Sequence, residues 1–160
     1  MGFQFTRRLT IEWGHCDPAG IVFNPRFFEF FDWSTALLVQ AALDLGKTSL
    51  ASAYGIAGTP LVDTRANFLR PSRFGEEVEI RSRVAAIGRS SFEIGHQLFN
   101  GGQLAVDAHE KRVWTIRDGV AGSLRAQALP DEVKRKLNGA EAELQGGAAS
   151  IGSSGRAIIP

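Results

Sequence analysis

Hydrophobic and polar residues alternate along the first segment of the chain, residues 3–13. Its hydrophobic face consists of Phe3, Phe5, Leu9, Ile11 and Trp13. Arg7 interrupts that face, and polar residues occupy the other one. Because alternation with a period of two is typical of a strand that buries one face, we predict a half-buried strand here. The next stretch, GHCDPAG, is rich in glycine and proline and is predicted to be a loop.

Residues 24–46, NPRFFEFFDWSTALLVQAALDLG, are predicted to form a long helix. Asn24 suits its N-cap, Pro25 suits the first helical position, and Gly46 is a stop signal. Large apolar side chains surround most of this helix, and polar residues form only a narrow stripe. Such a helix is expected to be buried nearly all round, and in so short a chain the natural partner is a curved sheet.

Later segments are predicted to be the strands of that sheet. They span residues 60–70, 76–87, 90–99 and 103–116. The third of them places one set of residues on a single face: Phe92, Ile94, His96 and Leu98. The fourth begins in phase with Leu104, Val106 and Ala108. It then slips to Val113 or Trp114, which indicates a β-bulge.

This order of elements predicts an α+β fold, in which an antiparallel sheet of about five strands wraps around one long apolar helix. The domain is expected to span residues 1–140, with a short amphipathic helix in LPDEVKRKL. Residues 141–160 are a Gly/Ser-rich tail. One helix covers only one face of a sheet, so we expect an oligomer that forms through the sheet or its edge.

Composition narrows the class of protein. The chain has 160 residues, 44% hydrophobic and 22% charged, which is ordinary for one globular domain. A formal charge of +1 gives no general attraction to nucleic acid or membrane. The single cysteine excludes a disulfide within the chain and fits a reducing compartment. The apolar run WSTALLVQAAL is too short to cross a bilayer, and the N-terminus lacks a signal-peptide core, so a cytoplasmic location is predicted.

Chemically capable side chains lie in a row at His15, Cys16 and Asp17. A catalytic thiolate needs a nearby cation or helix N-terminus and a base that a third group holds. Because adjacent side chains usually diverge, packing is the favoured interpretation of Cys16. A metal site is disfavoured as well, since His96 and His109 lack the usual ligand spacing. His96 is interpreted as a hydrogen-bonded core residue.

Asp17 differs because its loop leads into the predicted helix. The first N–H groups of a helix can bind an oxyanion, and a carboxylate beside them can attack a carbonyl or activate water. In the alternative interpretation, Asp17 only caps the DPAG turn. The residues alone leave both interpretations open. Arg89, Ser90 and Ser91 form a turn that suits phosphate recognition, although many such turns are only solvated corners.

The motif HCDPAGIVFNPRFFEFFD resembles the signature of hot-dog-fold acyl-CoA thioesterases of the 4-hydroxybenzoyl-CoA thioesterase family. The similarity continues in GTPLVDTRANFLRPSRFGEEVEI, RSSF and EKRVWTI, so it covers residues 5–118. It implies dimers that pair their sheets edge to edge, association of dimers into tetramers, and an active site at the dimer interface. It implies acyl-CoA as substrate, with no metal and no cofactor.

The resemblance also implies roles for individual residues. Asp17 matches the catalytic carboxylate, which acts as a nucleophile through a mixed anhydride or as a general base toward water. The backbone N–H of Asn24 matches the oxyanion donor. Phe23, near the start of the helix, could line an aromatic pocket or belong to the core. The residues predicted to bind substrate are Phe23, Thr59, Arg89, Ser90 and Ser91. The last three form the segment that meets the phosphates of coenzyme A, but this turn is less basic here than in well-known members.

The expected reaction is hydrolysis of an acyl-CoA to the free acid and coenzyme A. An aromatic acyl group such as 4-hydroxybenzoyl is favoured over short or branched acyl groups. A hot-dog hydratase or dehydratase is one alternative, but the Asp-x-Asn-Pro-x-His spacing of hydratases is absent. A non-catalytic module that binds acyl-CoA is the other alternative. The sequence offers no effector segment for such a module, and the presence of Asp17 also argues against it.

Overall fold

The computed structural model of the protein describes residues 2–119 and 122–140. The strands β1 to β7 span Gln4–Thr10, Leu61–Phe68, Glu77–Ile87, Ser91–Asn100, Gln103–Val113, Thr115–Arg117 and Leu124–Ala126. The helices α1, α2 and α3 span Asn24–Ala42, Leu50–Tyr54 and Asp131–Leu137. The predicted tail, residues 141–160, lies outside the described residues. No helix in the described part is long and apolar enough to span a membrane.

Five strands form one antiparallel sheet in the order β1-β3-β4-β5-β2, which confirms the predicted fold class. β6 and β7 form a separate two-stranded sheet. The long strands alternate between buried and exposed residues, so one sheet face packs against α1. Residues Ile80, Ile94 and Leu98 on that face are fully buried. Burial of each such side chain contributes about 1.5–3 kcal/mol relative to exposure.

Helix α1 differs from its prediction in two ways. It buries one stripe along its length: Phe27, Phe30, Phe31, Ser34, Thr35, Leu38, Val39 and Ala42. Trp33, on another face, is 57% exposed, so the expectation of burial nearly all round is wrong for the single chain. The sheet covers only one side of the helix. The N-cap is Phe23 rather than Asn24, because the N–H of Phe23 bonds to the carbonyl of His15 and keeps Phe23 extended.

The predicted bulge near Val113 is also misplaced. Along β5 and the residue after it, the inward phase continues without a slip: Val106, Ala108, Glu110, Arg112 and Trp114 are all buried. One irregularity lies at Ala105, because Leu98 pairs with Val106 whereas Phe99 pairs with Leu104. A second one lies in β2 at Val62, because Leu61 pairs with Arg112 whereas Asp63 pairs with Lys111. The charged residues Glu110 and Arg112 point inward. A prediction that places only hydrophobic residues on the buried face therefore fails to follow β5 past Ala108.

Candidate active site

A small hairpin carries Asp17 in front of α1. Cys16 forms a β-bridge with Val22, and the N–H of Asp17 donates to the carbonyl of Ile21 at 3.0 Å. The N–H of Gly20 donates to the carbonyl of Asp17 at 2.9 Å, which closes a tight turn. Gly20 has a φ of 77°, a conformation that glycine adopts at no steric cost. The DPAG sequence therefore places Asp17 at the tip of a rigid hairpin.

The carboxylate of Asp17 is partly engaged. Its Oδ1 accepts a hydrogen bond from the N–H of Ala19 at 2.8 Å, so Asp17 does cap its own turn. Among the described residues, no hydrogen bond to its second oxygen is present. The side chain is half-buried. The two interpretations of Asp17 are thus compatible, because one oxygen orients the carboxylate and the other is available for chemistry.

The start of α1 offers an unused donor. The N–H of Phe23 bonds to His15, and the N–H of Arg26 bonds to the carbonyl of Phe23 at 2.8 Å. Pro25 has no N–H. The N–H of Asn24 has no hydrogen-bond acceptor within the described ranges. It lies at the positive end of the helix dipole, where a developing oxyanion is stabilised.

The neighbours of Asp17 have structural roles. Nδ1 of His15 accepts from the N–H of Glu12 at 2.9 Å, and its ring meets Phe30 edge-on at 4.9 Å. Sγ of Cys16 is 3.8 Å from the carbonyl of Glu12, which is a weak contact. Nδ1 of His15 is therefore already engaged by a backbone N–H. In the described part of the chain, no cluster of three or more His, Cys, Asp or Glu could hold a metal ion.

A second polar site lies in a cavity of about 320 Å³ beside α1. Its walls include Asp32, Thr35, Thr59 and Arg112, together with apolar side chains of α1 and of residues 45–50. Arg112 donates to Oδ1 of Asp32 at 2.5 Å and to the carbonyl of Thr59 at 3.4 Å. The predicted substrate residue Thr59 therefore lines a pocket that combines apolar walls with a fixed ion pair.

A buried polar network supports this cavity. Glu110 is 1% exposed and accepts hydrogen bonds from Thr35 at 2.7 Å and from Arg112 at 2.9 Å. Burial alone would raise the pKa of Glu110, but its contacts with His96, Arg112 and Thr35 together lower that pKa below its usual value. His96 is fully buried and bonds to Ser82 at 2.8 Å, which confirms the interpretation of a core histidine.

The remaining predicted residues lie at two opposite ends of the sheet. We define the hairpin end by the last residue of β1 and the first of β3, Thr10 and Glu77, which pair. We define the turn end by the β3–β4 turn that holds Arg89, Ser90 and Ser91. Asp17, Phe23 and Asn24 lie at the hairpin end, where the N–H of Val22 bonds to the carbonyl of Ser72.

The Arg89–Ser91 turn is fixed at the other end. The carbonyls of Arg89 and Ser90 accept from the N–H groups of Leu129 and Trp114, each at 2.8 Å. Thr59 precedes β2, whose first residue, Leu61, pairs with Arg112 near the same end. β3 has 11 residues, so at about 3.3 Å per residue the two ends are roughly 30 Å apart. One chain therefore does not bring all the predicted residues together.

Comparison with known proteins identifies the family. A model of the thioesterase-like superfamily matches residues 11–137. The chain belongs to the thioesterase-like superfamily. It is 31% identical to a 4-hydroxybenzoyl-CoA thioesterase of Pseudomonas sp. (strain CBS-3) over 136 residues, which cover 81% of this chain and 94% of the relative. The predicted family is therefore confirmed.

Solved structures agree with this thioesterase-like assignment. A D17N variant of 4-hydroxybenzoyl-CoA thioesterase in complex with 4-hydroxybenzoyl-CoA has a TM-score of 0.73 and 28% identity, covering 84% of this chain and 99% of that one. A gentisyl-coenzyme A thioesterase has a TM-score of 0.68 and 26% identity, covering 83% and 98%. The hot-dog fold of the thioesterase-like chain is confirmed.

Sequence reasoning missed part of this thioesterase-like site. Asp32, Glu110 and Arg112 were not recognised as residues that build the cavity. The signal that could have found the last two is their position, because they continue the period-two phase of Val106 and Ala108 on the inward face. Two charged residues that continue a buried face are unusual and indicate an internal ion pair.

Proposed function

We propose that the protein hydrolyses an acyl-CoA thioester to the free carboxylic acid and coenzyme A. The observation that carries this proposal is the pairing of Asp17, which keeps one carboxylate oxygen free, with the unused N–H of Asn24 on the same short segment. A carboxylate and an oxyanion donor are sufficient catalytic groups for acyl transfer to water. The thiolate of coenzyme A is a good leaving group, so no metal or cofactor is needed.

Two routes use the same two groups. In the first, the free oxygen of Asp17 attacks the thioester carbonyl carbon, the C–S bond breaks, and water then hydrolyses the mixed anhydride. In the second, Asp17 takes a proton from water as the water oxygen attacks the carbonyl carbon. In either route, negative charge develops on the carbonyl oxygen, and the N–H of Asn24 stabilises it. In both routes the attacking water gives up a proton, and this proton passes to the thiolate to form the free thiol of coenzyme A.

The proposed active unit is a dimer that forms through β2. This strand is an edge of the sheet, and within the described residues its ladder partner is β5 alone. Large apolar residues on and beside it are exposed: Leu61 42%, Val62 57%, Phe68 45% and Leu69 57%. By contrast, the outer sheet face carries ion pairs such as Arg8–Glu79 and Lys111–Glu93. An exposed apolar edge strand favours pairing with a second copy.

Such pairing would complete the site. When two copies of β2 pair antiparallel about a two-fold axis, the hairpin end of one chain lies beside the turn end of the other. Asp17 and Asn24 of one copy then approach the Thr59 cavity and the Arg89–Ser91 turn of its partner. This arrangement is the proposed reason why residues separated by the length of β3 can serve one substrate. A tetramer and a cytoplasmic location stay predictions.

We propose an aromatic acyl group as the substrate. Phe23, 51% exposed, stands beside the proposed oxyanion site, and the Thr59 cavity combines apolar walls with polar groups. A volume of about 320 Å³ is at the small end of ligand pockets. The names of the reported relatives, 4-hydroxybenzoyl-CoA and gentisyl-CoA thioesterase, both describe aromatic acyl groups. 4-Hydroxybenzoyl-CoA is therefore the first substrate to test.

The proposal is tested with a panel of aroyl-, short, branched and long-chain acyl-CoAs. Free thiol release is followed with the purified protein, and the acid product is identified by mass spectrometry. We expect thiol release with 4-hydroxybenzoyl-CoA at a higher kcat/KM than with aliphatic thioesters. Hydration of an enoyl-CoA without thiol release would support the hydratase alternative instead. Binding of acyl-CoA without any turnover would support a binding module.

A further inference from the structure

The hairpin that carries Asp17 is fastened to the β2–β3 connection. The N–H of Val22 donates to the carbonyl of Ser72 at 2.9 Å, and Ile21 forms a β-bridge with Arg73. The hairpin itself contains only one β-bridge, between Cys16 and Val22. Its position is therefore fixed partly at residues 72 and 73, together with the contact of His15 with Phe30 of α1.

Residues 72 and 73 are held by two side chains, one from Glu76 in the same β2–β3 connection and one from Asn100 in the sheet. Oε2 of Glu76 accepts from the N–H of Arg73 at 2.8 Å and from Nδ2 of Asn100 at 2.6 Å. Asn100, the last residue of β4, also donates to Oγ of Ser72 at 3.2 Å. Ser72 is fully buried. The connection is thus tied to the end of β4 through one carboxylate oxygen.

The charge of Glu76 strengthens this tie. The N–H of Arg73, followed by the amide of Asn100, lowers the pKa of Glu76 below its usual value, so the carboxylate is ionised at neutral pH. Hydrogen bonds to an ionised acceptor are roughly twice as strong as neutral ones. Neither Glu76 nor Asn100 belongs to the residues of the proposed site.

We propose that Glu76 and Asn100 are positioning residues that hold the Asp17 hairpin in its reactive geometry. The connection runs from Glu76 and Asn100 to Ser72 and Arg73, then through backbone bonds to the hairpin. This inference rests on the proposed function, because it assigns Asp17 to the chemical step. A displacement of about 1 Å can cost on the order of 100-fold in rate, so small changes in this tie are expected to matter.

The first test is a graded series at one position. Glu76→Ala removes the acceptor, whereas Glu76→Gln keeps one neutral oxygen that can still accept both hydrogen bonds. We expect kcat with 4-hydroxybenzoyl-CoA to fall about tenfold or more in Glu76→Ala and less in Glu76→Gln, with KM within about twofold of wild type. The matched controls are Glu77→Ala and Glu77→Gln, since Glu77 is the adjacent, exposed carboxylate.

Asn100→Ala is the second variant. If both residues act through the same connection, the fold-loss in kcat of the double variant Glu76→Ala/Asn100→Ala will be well below the product of the two separate fold-losses. Equal kcat in Glu76→Ala and Glu77→Ala would overturn the inference. Fully multiplicative losses in the double variant would also overturn it.

Hydrogen exchange supplies a readout that does not depend on activity. In Glu76→Ala, the amides of residues 15–23 are expected to exchange faster, while those of β3, β4 and β5 keep their rates. Equal acceleration throughout the sheet would mean a general loss of stability and would overturn the positioning role. If the wild type releases no thiol from any thioester, the proposed function fails. The hydrogen-exchange measurement still tests the tie to the hairpin in that case. Unchanged exchange of residues 15–23 in Glu76→Ala would overturn the inference.

Discussion

At the residue scale, the conformation of Asp17 determines how its carboxylate can act. Oδ1 is fixed by the N–H of Ala19, which restricts rotation of the side chain, and among the described residues the other oxygen has no hydrogen-bond donor. This hydrogen bond requires little conformational strain, because it belongs to a local turn that Asp readily forms with the backbone two residues on. The Asx turn thus pre-orients the proposed catalytic group before substrate binds, which would reduce the entropy lost at the transition state.

This arrangement gives the first prediction. Asp17→Asn can keep the turn because the amide oxygen still accepts from Ala19, but it loses the nucleophile or base. We expect kcat to fall by about 10²–10⁴-fold, with an unchanged unfolding midpoint. Cys16→Ser is the matched control on the adjacent residue, and its kcat is expected to stay within about twofold of wild type. Loss of activity in Cys16→Ser with full activity in Asp17→Asn would reverse the two assignments.

The second prediction concerns Glu110 and pH. Its pKa is lower in the folded state than its usual 4.5, so unfolding at acidic pH takes up a proton. The stabilisation from Glu110 is therefore fully present above its unfolded pKa and is lost as pH falls through its folded pKa. Glu110→Gln should lower the free energy of unfolding by about 1–3 kcal/mol at pH 7.

Urea unfolding of the wild type and Glu110→Gln between pH 7 and pH 3 measures this effect. The difference between the two proteins should shrink below about pH 4.5, because the wild type then loses the advantage of an ionised carboxylate. Glu77→Gln is the control for the loss of an exposed carboxylate. A difference that stays constant across the whole pH range would contradict the assigned role of the Glu110 charge.

The sequence allowed some of these residues to be predicted, and physical reasons explain the others. Asp17 and Asn24 lie on one contiguous motif, so the sequence alone is enough to predict that they lie near each other. Glu76 and Asn100 meet only because β3 and β4 pair in one particular register. Asp32 and Arg112 are likewise distant in sequence, and their contact needs the packing of α1 on β5. Such contacts depend on tertiary structure, which periodicity does not specify.

At the element scale, α1 and β2 expose apolar surface that the single chain does not cover. The period-two patterns predicted the long strands correctly, because one face of each is buried. The exposure of Trp33 on α1 could not be predicted, since the amphipathic pattern is weak and the sheet turned out to cover only one side. For β2, residues on both faces are mostly exposed, which explains its mixed pattern in the sequence.

The third prediction tests the edge of the sheet. Val62→Lys places a charge on the exposed edge strand β2, where a buried contact with a second copy is proposed. We expect a shift from dimer to monomer in sedimentation velocity and a loss of thioesterase activity, because an unpaired buried charge is costly. Thr6→Lys is the matched control on β1, the opposite edge of the sheet. An unchanged dimer in Val62→Lys, or equal dissociation in both variants, contradicts dimerisation through β2.

At the scale of the whole molecule, the hot-dog fold separates the two halves of the site. The hairpin end of the sheet carries the proposed catalytic carboxylate and the proposed oxyanion donor, and the turn end carries the cavity and the Arg89–Ser91 turn. The topology β1-β3-β4-β5-β2 makes this separation unavoidable, because every long strand runs from one end to the other. We therefore propose that a second copy is needed for the reaction and that the two copies share each active site.

Subunit complementation tests this claim most directly. Asp17→Asn and Arg89→Glu are each expected to have low activity with 4-hydroxybenzoyl-CoA. In a mixed dimer, one site combines both changes, whereas the other combines the intact Asp17 of one copy with the intact Arg89 of its partner. Random mixing gives mixed dimers about half of the time with one intact site in two, so roughly a quarter of wild-type activity should return. Activity no higher than the average of the two separate variants, with exchange of subunits verified by mass spectrometry, would contradict the shared site.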